Sequence, residues 1–140
     1  MTNYNLERFI KAQENMYYIA LSEIKSAGKY NHWMWFIFPQ IAGLGSSYYA
    51  QKYAISSIDE AKAYMMHPVL GPRLLECTEA VLSLSTKDCP AFLGHIDSLK
   101  LCSSMTLFAI AVPEYKEFQA VIDKFFNGKQ DQRTIALIGL

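Results

Sequence analysis

The stretch LERFIKAQENMYYIALSEIKSA, residues 6–27, decides the fold class of this chain. Its large apolar side chains recur at spacings of three and four residues, which is the period of an α-helix with one apolar face; they are Leu6, Phe9, Ile10, Met16, Tyr17, Leu21 and Ile24. Asn5 is suited to cap the first turn, and Gly28 is suited to end the helix in the left-handed conformation. We therefore predict one long helix from Leu6 to Ala27.

The same period recurs downstream. Ser57 and Glu60 have the spacing of a capping box, in which the hydroxyl and the carboxylate each bond a free N–H, and this predicts a helix from Ile58 to about Met66. The pattern predicts four more helices, over Pro72–Leu84, over Asp97 to about Ala111, from Pro113 to Asn127-Gly128, and from an Asp131 cap to Ile138. Residues 87–94 are predicted to be a connector. We expect an all-α or mainly α fold of about six helices.

Composition and length place the chain among compact globular domains. Its 140 residues fit one domain spanning 1–140, and 51% of them are hydrophobic against 19% charged, which excludes a disordered protein. Thirteen basic residues balance thirteen acidic ones, so no global field attracts nucleic acid or anionic lipid. Neither class of partner is expected.

The sequence contains neither a targeting signal nor a metal-binding pattern. The longest apolar run, from Met105 to Val112, is too short to cross a bilayer, and the N-terminus lacks the features of a secretory signal, so we expect a cytoplasmic protein. Cys77, Cys89 and Cys102 form an odd set without C-x-x-C spacing, which favours reduced thiols over disulfides or zinc. We predict no metal site and no cofactor.

Aromatic residues are concentrated between Tyr30 and Tyr53. The run HWMWFIFPQ, His32 to Gln40, is too apolar on every side for an exposed element and is predicted to be buried, either as a short strand around Trp33–Phe38 or as a helical turn. Such a half-polar aromatic wall is suited to a planar ligand, with Trp35 or Tyr53 stacking on a ring and Gln40 donating hydrogen bonds. The alternative is that these aromatic side chains are simply core.

Two polar segments could complete a site. Gly43, Gly45 and Ser46 lie in a flexible loop whose N–H groups could approach a small anion, although no P-loop lysine follows. Asp97, Lys100 and Ser104 share one face of a predicted helix. We expect Lys100 and Arg73 to meet phosphate charge, Ser46 and Ser104 to hydrogen-bond a ribose or base edge, and His32 or Asp97 to act as acid or base in any catalysis. The alternative for Asp97 and Lys100 is a solvated ion pair.

Motifs along nearly the whole chain resemble a known family. They include LERF (6–9), HWMWFIFPQ (32–40), GLGS (43–46), LGPRL (70–74), DSLKL (97–101) and SSMTLF (103–108). Together they resemble the proteins that contain domain of unknown function 1810, which implies a compact, mainly helical fold without supplying an activity. Some members carry a calpastatin label, which we reject because calpastatin is a disordered inhibitor and this composition is the opposite.

A fainter resemblance points to a superfamily of helical enzymes that act on NAD and ADP-ribose. YYAQKY (48–53), Asp97-x-x-Lys100 and Lys124-Phe125 are similar to short motifs of those enzymes. The acidic residue of their first motif is replaced here by Gly45, Ser46 and Ser47. That departure weakens N-glycosidic hydrolysis as an activity, because a developing oxocarbenium charge needs a nearby carboxylate; Glu60, Glu76 or Asp97 would have to replace it.

Our leading hypothesis is a small-molecule-binding protein, catalytic or not, whose ligand is nucleotide-like or ADP-ribose-like. The alternative is a protein-interaction module that uses an exposed aromatic patch, and a third possibility is that the polar groups only satisfy one another in the core. The ligand hypothesis requires the tryptophan-rich segment and the Asp97–Ser104 helix to meet around an open space. No oligomeric state follows from the sequence.

Overall fold

The computed structural model describes residues 4–139 and confirms the mainly helical fold. Ten helices lie in this range: α1 (Glu7–Gln13), α2 (Tyr17–Lys25), α3 (Met34–Ile37), α4 (Tyr48–Lys52), α5 (Ile58–Met66), α6 (Leu70–Leu82), α7 (Cys89–Leu93), α8 (His95–Ala111), α9 (Glu117–Phe125) and α10 (Gln132–Ile138). Helix α8 is central and packs against α3, α5, α7, α9 and α10. The helix count exceeds six because one predicted helix is split and three short ones form between the others.

The long helix predicted from Leu6 to Ala27 is wrong, because the chain breaks between α1 and α2. The buried side chain of Gln13 donates to the Phe36 carbonyl at 2.7 Å and contacts the Tyr64 hydroxyl at 3.0 Å. These bonds fix the end of α1 inside the core, and the chain must turn before Tyr17 can bury its own face.

Both predicted ends of that helix also differ. Leu6 occupies the N-cap position of α1 and provides no side-chain cap, while Asn5 has a φ of +53° and offers its carbonyl to Arg8. At the end of α2, Ala27 takes the left-handed conformation (φ +56°) and the Gly28 N–H donates to the Glu23 carbonyl at 3.0 Å. The position of this turn lets the next residues reach the Glu23 side chain.

The Glu23 carboxylate is buried and organises residues 30–33. It accepts hydrogen bonds from the N–H groups of Tyr30 (2.8 Å) and Asn31 (3.1 Å), from the Asn31 side-chain amide and from the Trp33 indole (2.8 Å). Burial alone would raise the pKa of Glu23, but these hydrogen bonds outweigh it and hold the pKa below its usual value. The carboxylate thus holds Trp33 fully buried at the start of the aromatic segment.

The strand considered for Trp33–Phe38 does not form; the segment is the helical turn α3. The chain then makes an isolated parallel bridge between Ile41 and Ile55, with the Ala42 N–H donating to Ile55 and the Ile55 N–H donating to Gln40, both at 2.8 Å. This bridge ties together the two ends of the 43–54 segment, which contains the Gly43–Ser47 loop and α4.

Arg8 and Glu60 connect α1, the 52–54 segment and α5. The Arg8 guanidinium lies 2.8 Å from a Glu60 carboxylate oxygen and donates to the carbonyls of Lys52 and Ala54, also at 2.8 Å. The capping box is confirmed in its hydroxyl half, since Ser57 accepts from the Glu60 N–H at 3.2 Å. The carboxylate half is wrong, because Glu60 instead accepts from the N–H and hydroxyl of Ser56 while it pairs with Arg8.

The remaining helices follow the predicted pattern with shifted ends. Helix α5 has the predicted bounds, α6 begins at Leu70, α8 begins at His95 after Gly94 (φ +87°), and α9 begins only at Glu117. The predicted connector contains α7, and Asp97 lies within the first turn of α8 instead of capping it. The Asp131 cap of α10 is confirmed, because its carboxylate accepts from the Thr134 N–H at 3.1 Å.

Close packing at Gly71 joins α5 to α6. This buried glycine is the second residue of α6, and a Cβ placed on it would lie only 2.0 Å from the carbonyl oxygen of Met65. The Gly71 N–H also donates to the His67 carbonyl at 3.1 Å. The absence of a side chain therefore sets how closely these two helices approach.

The three cysteine side chains differ in their burial. Cys77 and Cys89 are buried, Cys102 is half-buried, and all three are free. Burial raises the pKa of Cys77 to about 12 and that of Cys102 to about 11.

Within residues 4–139, every helix is too short or too polar to span a bilayer.

Candidate functional site

The aromatic segment and helix α8 meet around an open pocket of about 370 Å³, which we call the main pocket. Its polar lining comes from Gln40, Lys100, Ser103, Asp131 and Arg133, and its apolar lining includes Trp35, Leu44, Ile96 and Leu99, with Gly45 at the loop. This volume lies at the lower end of the range of small-molecule sites. The space that the ligand hypothesis requires is therefore present.

The aromatic side of the main pocket is a packed group of rings. Trp35 is half-buried, and the Tyr49 ring lies 5.5 Å from it between centroids. Tyr53 lines the pocket, but it is buried, with its ring parallel to Tyr49 at 6.4 Å and tilted against Phe36 at 5.4 Å. Tyr53 thus supports the wall, and Trp35 contributes more of the surface that a ligand would meet.

A chain of charges holds Lys100 at the pocket. The Lys100 ammonium lies 4.2 Å from the centroid of the Trp35 ring and 3.4 Å from one oxygen of Asp97. The other Asp97 oxygen lies 2.9 Å from the Lys29 ammonium. Asp97 therefore bridges two lysines, and Lys100 is oriented over the indole by both an ion pair and a cation–π contact.

Asp131 and Arg133 also line the main pocket, and the sequence did not indicate them as site residues. One Asp131 oxygen accepts hydrogen bonds from the hydroxyls of Thr134 (2.6 Å) and Ser103 (3.2 Å). Arg133 is exposed and donates to the Leu44 carbonyl at 3.4 Å, which connects α10 to the glycine loop. The Asp131 cap signal identified α10, but only tertiary packing brings that helix to the loop.

A second groove adjoins the main pocket, and we call it the side groove. It has a volume of about 440 Å³ and shares Trp35, Ile96 and Lys100 with the main pocket. Its other polar residues are Lys29, His32, His95 and Asp97. The two residues predicted as acid–base candidates, His32 and Asp97, thus lie next to the main pocket.

Four of the predicted site residues lie outside the lining of both spaces. Gly43 has a φ of +103° and packs near Leu137, and Ser46 is exposed with its carbonyl bonded to the Gln51 amide at 2.7 Å. Arg73, on α6, lies 4.7 Å from the Tyr17 ring centroid. Ser104 is fully buried, because it is one position further round α8 than Ser103 and so faces the core.

Ser104 offers a direct test of packing on α8. Its hydroxyl is fully buried and is the one buried side-chain oxygen or nitrogen in the described residues without a hydrogen-bond partner. We expect Ser104→Ala to raise the free energy of unfolding by about 1 kcal/mol, because it removes an unpaired polar group from the core. The matched variant Ser103→Ala should lower it by about 1 kcal/mol, since the single hydroxyl proton of Ser103 is shared between two acceptors, the Leu99 carbonyl and the Asp131 carboxylate. Urea titrations measure both; a loss of stability in Ser104→Ala would contradict the prediction.

No group of three or more His, Cys, Asp or Glu side chains within residues 4–139 is placed to hold a metal ion. The polar groups that line the main pocket are two cations, one carboxylate, an amide, hydroxyls and an indole, beside apolar surface. Such a set can bind an anion with an apolar or planar body.

Comparisons with known proteins agree with the main resemblance. A family described as "Protein of unknown function (DUF1810)" matches residues 3–138. Among solved structures, the conserved hypothetical protein Rv1873 from Mycobacterium tuberculosis is similar, with 46% sequence identity, 98% of each chain covered and a TM-score of 0.95. A search of curated proteins gives no match. Neither similarity supports the fainter resemblance to the NAD and ADP-ribose enzymes or the calpastatin label. Since the family match covers nearly all of its length, the chain belongs to the DUF1810 family of proteins of unknown function.

Proposed function

We propose that this protein binds a small organic anion of the nucleotide-like class, with ADP-ribose-like molecules included, in the main pocket. The observation that carries the proposal is the pairing of two cations, Lys100 and Arg133, with an otherwise largely apolar pocket open to solvent. The acidic residue beside them, Asp131, already uses one carboxylate oxygen to accept bonds from Ser103 and Thr134. These bonds leave the charge of Asp131 in place, but the lining carries two cations against this one carboxylate, so an anionic group is favoured there.

The body of the ligand would lie against the apolar wall. Ile96 and Leu99 expose 68% and 56% of their surface, and Trp35 lies beside them, so a planar ring would cover hydrophobic area that now faces water. Gln40 carries both a donor and an acceptor and is suited to the polar edge of a base or ribose. Lys100 and Arg133 are left to meet phosphate oxygens.

If the protein also catalyses a reaction, the proton-transfer group is better assigned to His32 than to Asp97. Both Asp97 oxygens are already paired with ammonium groups, so its carboxylate serves to position Lys100. His32 is exposed in the side groove and is free to approach a bound molecule. Product analysis after incubation with ATP, NAD and ADP-ribose tests for turnover separately from binding.

The binding proposal is tested with the two cations. We expect AMP, ATP or ADP-ribose to raise the melting temperature of the wild-type protein, and Lys100→Met and Arg133→Met each to weaken binding by about 10- to 100-fold, the loss of a charge-assisted hydrogen bond. Isothermal titration calorimetry gives the affinities. Lys116→Met, at an exposed lysine outside both spaces, is the matched control and should bind as wild type. The proposal fails if none of these nucleotides binds, or if neither pocket variant changes the affinity.

Protein docking is the second candidate function, and one observation favours it. Tyr48 and Tyr49 expose 69% and 51% of their surface, and Tyr49 packs against Trp35, which lines the main pocket. A protein partner could cover this aromatic patch together with Leu99. Tyr48→Ser distinguishes the two functions. The affinity for a small ligand in the main pocket should be unchanged, whereas the affinity for a protein partner that covers the patch should fall.

A further inference from the structure

The main pocket and the side groove meet along three shared residues. Trp35, Ile96 and Lys100 line both, so the two open spaces lie on either side of these three side chains. Each space is of a size that accommodates one small organic group, at about 370 and 440 Å³. A single molecule could therefore extend from one space into the other past the Trp35 indole.

The side groove has its own charge character. Lys29, His32, His95 and Lys100 contribute basic groups, and Asp97 is the acidic residue among its described lining. Asp97 is already neutralised by Lys29 at 2.9 Å and Lys100 at 3.4 Å. A bound group in this groove would thus meet donors and positive charge, with no carboxylate left unpaired to repel an anion.

Lys100 determines which chemical group of a ligand would fit at the boundary between the main pocket and the side groove. Its ammonium is held over Trp35, at 4.2 Å from the ring centroid, by the ion pair with Asp97. A molecule that passes from the main pocket to the side groove must place part of itself beside this ammonium. A phosphate is the group best matched to that position, and it must carry an organic group on both sides.

We infer that the two spaces form one two-armed site for a molecule in which a phosphate bridge joins two organic groups, one arm in the main pocket and the other in the side groove. This inference rests on the proposed function and specifies its ligand class: a two-armed molecule with a phosphate bridge is bound in preference to a mononucleotide. Lys100 meets the phosphate bridge, and His95, exposed in the side groove, contacts the second arm.

The test compares AMP, ADP and diadenosine diphosphate by isothermal titration calorimetry with the full chain. Diadenosine diphosphate has the same charge as doubly ionised AMP but carries a second arm, and ADP controls for the extra phosphate. We expect diadenosine diphosphate to bind about tenfold tighter than either mononucleotide, with one molecule per chain, because the second ring gains contacts in the side groove.

The variant His95→Ser locates that gain. It should remove most of the advantage of diadenosine diphosphate over AMP, whereas Lys116→Met, at an exposed lysine outside both spaces, should leave that advantage unchanged. If ADP binds as tightly as diadenosine diphosphate, or if His95→Ser leaves the advantage intact, the two-armed site is wrong although the proposed function stands. If no nucleotide binds at all, the proposed function itself fails.

Discussion

Glu23→Ala is expected to lower the free energy of unfolding by about 3–5 kcal/mol, the largest effect we predict for a single side chain. The change removes the acceptor for the Tyr30 and Asn31 N–H groups and for the indole of Trp33, which is fully buried. The Trp33 N–H would be left unpaired inside the protein and would carry its full desolvation cost, while the N–H groups of the exposed residues Tyr30 and Asn31 would lose the acceptor that orders them. Urea unfolding followed by tryptophan fluorescence measures the loss, and a change below about 1 kcal/mol would contradict this role for the carboxylate.

The variant Glu23→Gln and a pH series separate the contribution of the Glu23 charge to stability from that of the size and hydrogen-bonding shape of its side chain. The glutamine keeps an acceptor oxygen, so we expect a smaller loss than for alanine. Because the hydrogen bonds hold the folded-state pKa of Glu23 below the ordinary value of 4.5, its contribution is fully present above pH 4.5 and is lost as the pH falls through the folded-state pKa. The wild-type protein should therefore lose stability more steeply below pH 4.5 than Glu23→Gln does.

Gly71→Ala is expected to destabilise the protein by about 3 kcal/mol or more. In a free helix the same change stabilises by about 1 kcal/mol, because alanine is the better helix former. Here the new methyl group would lie 2.0 Å from the Met65 carbonyl oxygen, which is backbone and cannot turn aside, so α5 and α6 must move apart. Thermal unfolding monitored by circular dichroism shows directly whether the change lowers or raises the stability.

Gly28→Ala is the matched control for Gly71. An added Cβ there approaches atoms of the Tyr30 side chain at 3.1 Å or more, and Tyr30 is exposed and can rotate away. We expect the stability to change by less than about 1 kcal/mol. Equal losses in the two variants would mean that the close approach at Met65 is not the cause.

The sequence predicts helices where one apolar face decides the structure, and it fails where distant partners do. The α5 and α10 bounds follow from local signals, the Ser57 and Asp131 caps. The break after Gln13 has no local signal, because residues 14–16 contain neither Gly nor Pro. It depends on bonds from Gln13 to Phe36 and Tyr64, which lie 23 and 51 positions away in the chain.

The same distinction holds at the candidate site. The sequence suggested that Trp35, Gln40 and Lys100 belong together, and all three line the main pocket. Arg73 was grouped with them on charge alone, but it lies on α6 beside Tyr17. Arg133 was missed, because a lone arginine on a short terminal helix carries no pattern, and only the fold brings it to Leu44.

The bridge between Ile41 and Ile55 determines where this protein can accept inserted residues with little loss of stability. Its two backbone hydrogen bonds hold the two ends of the 43–54 segment together, and α4 within that segment has no buried side chain. Lengthening a segment whose ends are already fastened is cheap, at about 0.6 kcal/mol for each doubling. Insertions around α4, the exposed part of this segment, would change the surface beside the main pocket with little effect on the core, so we expect new binding specificity to be tolerated there.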